Sequence, residues 1–127
     1  MKIKSLFFTL AGVLLIQSGM AQAKITIPSG TDTFTATEKG SVTKFIFEGT
    51  AEELKDMKEK AVALKDRLQL EFTKNDQGGY NAVMVVDHQP QAEYVQKMFI
   101  TLGVKTFFVE GAEMSVQELS GVLYNMN

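Results

Sequence analysis

Tyr80-Asn81-Ala82-Val83-Met84-Val85-Val86-Asp87 is the stretch on which the fold turns. Its apolar run, Ala82 to Val86, is shorter than a typical helix and dominated by β-branched valine, so it reads as a strand. Successive side chains of a strand point to opposite faces, and a run apolar throughout therefore presents hydrocarbon on both. Such a strand sits in the interior of its sheet with cover above and below.

Working back toward the N-terminus, Asn75-Asp76-Gln77-Gly78-Gly79 is turn chemistry, because glycine supplies positive φ without steric cost. Gly78-Gly79 as a phosphate cradle would need a Walker pattern and a following helix, and the sequence has neither. The turn leads from a strand in which Leu68, Leu70 and Phe72 alternate with Gln69, Glu71 and Thr73, the pattern of an edge strand with one dry and one wet face. Before it, Leu54, Met57, Ala61 and Leu64 recur at helical spacing, and Thr50 with Glu53 spells a capping box, which predicts a helix running to about Asp66. Asp56 and Lys60 are placed on it as a favourable i, i+4 pair. Thr43 to Glu48 is a further strand, with Phe45 and Phe47 on one face, Lys44, Ile46 and Glu48 on the other, and Gly49 ending it. Residues 24–41 are rich in Thr, Ser and Gly and predict an extended arm. Within the arm Thr33 to Thr37 is β-prone, either a strand turned back by Glu38-Lys39-Gly40-Ser41 or part of a solvated tail.

Downstream, Pro90 suits the first turn of a second helix, whose inner stripe is Ala92, Val95, Phe99 and Leu102 and whose stop is Gly103. Val104 to Val109 is the last strand. Ser115 and Glu118 make a second capping box, opening a short C-terminal helix with Val116, Leu119, Val122 and Leu123 as its apolar side.

The order after the arm, strand, helix, strand, strand, helix, strand, helix, predicts one α+β domain over residues 42–127. Right-handed closure gives the ferredoxin-like split β-α-β (βαββαβ) arrangement: an antiparallel sheet, its third strand between the first and second, both main helices on one face. This element order, over about Thr43 to Val109, is similar to that of the heavy-metal-associated domain. That family binds its metal through a Cys-x-x-Cys in the loop after the first strand, where this chain reads Gly49-Thr50-Ala51-Glu52. The resemblance implies topology only, and neither ligands nor metal transport carry over.

Helices on one face leave the other bare, yet either Val83 and Val85 or Met84 and Val86 must point there, joined by Ile46 and by Phe107 or Phe108. Four such side chains left wet would forgo several kcal/mol at roughly 25 cal/mol per Å². The cover is the C-terminal helix folding back, the arm, or another molecule. In the last case Ile46, Val83, Val85 and Phe107 form a partner-binding surface for an envelope protein or for a second copy in a homodimer.

The first residues belong to targeting rather than fold. Lys2 and Lys4, the apolar run Leu6 to Ile16, and Ala21-Gln22-Ala23 have the form of a cleaved signal peptide over residues 1–23. No run is long enough to serve as a membrane anchor. The expected location is the periplasm, or the medium after secretion. Removing Lys2 and Lys4 from the 13 basic residues leaves 11 against 15 acidic ones, a net charge of −4, so nucleic acid and anionic lipid are poor partners. The absence of cysteine excludes disulfides, thiolate metal sites and thiol nucleophiles.

Chemistry-bearing residues are few. His88, the single histidine, stands beside Asp87 at the strand-to-helix junction, and the expected topology brings Glu110 and Asp66 to the same end of the sheet. Asp87, His88 and Glu110 are therefore the candidates for binding a small ligand or a divalent metal as a carrier. The simpler reading makes the junction a helix N-terminus whose polar side chains accept from free amides. Ser29, Ser41, Ser115 and Ser120 lie in no Gly-x-Ser-x-Gly elbow, no cofactor motif is present, and no residue is nominated as catalytic. The leading expectation is thus a non-catalytic exported binding or adaptor module, with the carrier second and a small hydrolase or isomerase formed at a subunit interface third.

Overall fold

The structure is a computed structural model and describes residues 23–126; the expected signal peptide, apart from Ala23, lies outside the described residues. In chain order the elements are β1 (Lys24–Thr26), β2 (Phe34–Thr37), β3 (Gly40–Glu48), α1 (Ala51–Ala63), β4 (Leu68–Lys74), β5 (Tyr80–Asp87), α2 (Ala92–Thr101), β6 (Thr106–Val109), β7 (Ala112–Ser115), a single 3₁₀ turn at Val116–Glu118, and α3 (Leu119–Tyr124). All seven strands form one mixed sheet in the order β4-β5-β3-β1-β6-β7, with β2 also on β3. The fold is α+β.

Local signals act as the residues dictate. The capping box at α1 closes in both directions: Glu53 N–H donates to Thr50 Oγ1 at 3.1 Å, and Thr50 N–H donates to Glu53 Oε1 at 2.8 Å. Asp56 and Lys60 pair at 3.0 Å. Asn75 builds the β4–β5 turn, its Oδ1 accepting from the N–H groups of Gln77 and Gly79. At the end of α2, Gly103 takes φ +93° and donates to Ile100 O while Val104 N–H donates to Phe99 O, the two bonds of a Schellman stop.

Four expectations need correction. Pro90 does not enter the helix, because α2 begins at Ala92 with Gln91 as its N-cap. The strand at Val104–Val109 narrows to β6 and turns back through Glu110-Gly111 into β7, a hairpin whose two central residues have positive φ, 51° and 84°. Ser115 caps the C-terminal turn by accepting from Gln117 N–H, not Glu118 N–H. Most importantly, the antiparallel ferredoxin-like order is not what forms. β5 lies between β3 and β4 as expected, but β1 stands between β3 and β6, antiparallel to the first and parallel to the second. The arm is therefore sheet rather than tail: Ile25, Ile27 and Phe34 are buried, and Ile27 N–H donates to Phe108 O.

The core lies between the sheet and its helices. Phe45, Phe47, Ala82, Met84, Val86, Leu68 and Phe107 face inward, and from the helices Leu54, Met57, Val95, Phe99, Leu119 and Leu123 meet them. Phe45 packs edge-on against Phe99 at 5.1 Å, and Phe47 against Phe72 at 5.6 Å. α3 lies beside α2, tied by Gln96 Oε1 accepting from Ser120 N–H and by Tyr124 O–H donating to Glu93. That bond to the carboxylate pushes the Tyr124 phenol pKa above its ordinary value.

Two hydroxyls break the apolar core. Ser41 and Thr43 continue the inward stripe of β3, are 2% and 0% exposed, and leave Oγ and Oγ1 without a hydrogen-bond partner. A buried hydroxyl so placed costs about 1–3 kcal/mol of lost hydration. Thr43→Val, which keeps the shape and removes the oxygen, is expected to raise stability by about 1–2 kcal/mol, read as a higher urea midpoint with unchanged slope.

Candidate functional site

The sheet face turned away from the helices carries a mixture of exposed and half-buried side chains. Period-2 alternation places Val42, Lys44, Ile46 and Glu48 of β3 there, with Asn81, Val83, Val85 and Asp87 of β5 and Gln69, Glu71 and Thr73 of β4. The register sets them in rows across the sheet: Gln69, Val85, Val42; then Glu71, Val83, Lys44; then Thr73, Asn81, Ile46, Thr26, Phe108.

Among the described residues, neither α3 nor the arm covers this face. α3, expected to fold back over this face, packs on α2 at the inner side, where Leu119 and Leu123 are fully buried. The arm adds its strands to the sheet instead of crossing it. Val42, Ile46, Val83, Val85 and Phe108 are half-buried. Lys24 spreads over the Phe108 ring with Nζ 4.8 Å from its centroid, and Lys44 reaches Asp32 at 3.3 Å. Of the expected partner-binding residues, Ile46, Val83 and Val85 lie on this face. Phe107 does not: it is 1% exposed and points into the core, and Phe108 takes the outer position, because β6 enters with its even-numbered residues outward.

Asp87, His88 and Glu110 stay apart. Asp87 N–H donates to Arg67 O, and His88 N–H donates to Lys39 O at 2.7 Å with φ +66°, so this junction fastens the end of β5 to the β2–β3 hairpin. Glu110 lies in the β6–β7 turn two residues past Phe108, whose row is that of Ile46, whereas His88 reaches Lys39. Several residues of strand length and three strand spacings, roughly 14 Å for the latter alone, divide them. Among the described residues no group of three His, Asp or Glu side chains is placed to hold a metal ion.

A cleft of about 540 Å³ opens between α1 and the α2–β6 loop, with Ile25, Phe47 and Met57 at its floor. Its polar wall is largely occupied: Glu53 serves the capping box and Asp56 holds Lys60. A second groove of about 530 Å³ runs between α1 and β4. No helix among the described residues is long and apolar enough to cross a membrane.

A scan against family models, a search of curated proteins and a search of solved structures each found no match to this chain.

Proposed function

We propose that the protein is a non-catalytic exported binding module, released near Ala23 into the periplasm or beyond, and that its outer sheet face pairs with a second copy. The observation that carries this reading is the row Glu71, Val83, Lys44. A two-fold axis along β5 would set Val83 on its own counterpart and bring Glu71 of each chain onto Lys44 of the other. The same operation matches Val85 with Val85 and Gln69 with Val42, so the face is complementary to itself, as an isologous interface must be. Aligned sheets pack about 10 Å apart, close enough for these side chains to interdigitate. The Lys44–Asp32 pair does not oppose this, because an exposed ion pair is worth at most about 1 kcal/mol.

Sedimentation equilibrium at micromolar concentration is expected to show a dimer. Glu71→Lys and Lys44→Glu should each weaken it by at least about tenfold, since like charges then meet twice, and the double exchange should restore it. A strict monomer, or a dimer indifferent to both reversals, removes the proposal.

A further inference from the structure

One edge of the sheet is formed by β4. β4 ends the strand order and pairs with β5 alone. Arg67 O accepts from Asp87 N–H at 3.0 Å, so β4 residues in step with Arg67, namely Gln69, Glu71 and Thr73, turn their backbone groups to β5. Leu68 N–H is taken by Leu64 O, which leaves the N–H and C=O groups of Leu70 and Phe72 directed away from the sheet.

Along this edge α1 forms a wall, and the groove of about 530 Å³ lies between them. Apolar surface lines it: Leu70 and Phe72 are half-buried, and Val62 is 66% exposed. Lys58 and Lys65 stand at its rim, Lys58 Nζ lying 5.8 Å from the Phe72 ring centroid. On the side of the groove facing β4, the charged lining residues, Lys58 of α1 and Lys65 of the following turn, are both basic. Glu71, the one acidic residue at the groove, belongs to the outward-facing row of β4.

We infer that this groove receives an extended acidic peptide segment, added to the sheet as an eighth strand beside β4. The incoming backbone would pair with Leu70 and Phe72, alternate apolar side chains would enter the groove against Val62 and Phe72, and flanking carboxylates would meet Lys58 and Lys65. A second copy's β4 is the poorer occupant. Edge-to-edge pairing about a two-fold axis would gather the Lys58 and Lys65 of both chains at one seam, the arrangement by which edge lysines discourage self-pairing.

The test uses the whole mature chain and two capped synthetic hexapeptides, one alternating glutamate with valine, the other lysine with valine. Titration followed by amide NMR is expected to move the Leu70 and Phe72 resonances with the glutamate peptide, at an affinity at least about tenfold above that for the lysine peptide. N-methylation of alternate amides in the glutamate peptide should abolish binding, and Lys58→Glu with Lys65→Glu, both exposed, one on α1 and one in the turn after it, should reverse the preference between the two peptides. Equal binding of both peptides, no binding at millimolar concentration, or shifts confined to the outer face would overturn the inference. So would protection of the Leu70 and Phe72 amides in the protein alone at high concentration, which would make a second copy the occupant.

Discussion

Replacing Ile25 and Ile27 together by alanine is expected to leave the chain largely unfolded at 25 °C. Each side chain is buried, at 1% and 0% exposure: Ile25 on β1, the strand between β3 and β6, and Ile27 directly after it, where its N–H donates to Phe108 O. A buried isoleucine truncated to alanine costs about 2–5 kcal/mol through lost transfer energy and the cavity left behind. Two such losses in one short segment approach the whole stability of a small domain, about 5–15 kcal/mol. The consequence is also topological. β1 is a strand of 3 residues, and without it β6 loses its only neighbour apart from β7. Urea titration followed by far-ultraviolet circular dichroism measures the effect. An unchanged midpoint would mean that residues 24–41 are a tail on a sheet complete without them.

The second large effect is expected at Gly40. It has φ +145°, opens β3 directly after the β2 turn, and lies opposite Asp87 on β5. A Cβ built there would overlap the carbonyl oxygen of Val86, which is backbone within the β3–β5 ladder and cannot move without opening it. Gly40→Ala therefore combines glycine-only backbone strain with a clash, each about 1–3 kcal/mol, for a loss of roughly 3–5 kcal/mol. Gly78→Ala is the control: φ there is +88°, but a Cβ would meet nothing within 4 Å, so strain alone acts. Equal losses in the two variants would refute the close approach between Gly40 and Val86.

Much of this fold was legible in particular residues. Ala82 to Val86 marked an interior strand, the Leu68, Leu70, Phe72 alternation marked an edge, and Thr50 with Glu53 marked a helix start, because each signal is complete within a few residues. β7 escaped notice although its sign was printed: Glu110-Gly111 is a two-residue turn of the kind that closes hairpins, and the short strand after it, Ala112 to Ser115, carries little apolar content. β1 carried no usable local sign, since three residues with one buried isoleucine have no period to read. The candidate site was legible in part. Alternation grouped Val83 with Val85 and Met84 with Val86 but left open which pair faces away from the helices; pairing with β3 and β4 puts Val83 and Val85 in the rows of Lys44 and Glu71, and the phase of β6, set by its pairing with Thr26, puts Phe108 rather than Phe107 in the row of Ile46. The groove beside β4 was missed because its walls come from α1 and β4, whose relative placement no spacing within either one records.

What the sequence determined alone was therefore the longer elements, the cap of α1, the β4–β5 turn, and which strand lies inside the sheet, since side-chain alternation and hydrogen-bond capping are local physics. The tertiary structure decided that the arm contributes a strand between β3 and β6, that the last helix joins its neighbours on the covered side, and that among the described residues Val83 and Val85 are only half-buried. An apolar pattern states that a surface gains by being buried. Which of several competing segments buries it depends on the shape and depth of the site each can reach, and Leu119 and Leu123 found the better one beside α2.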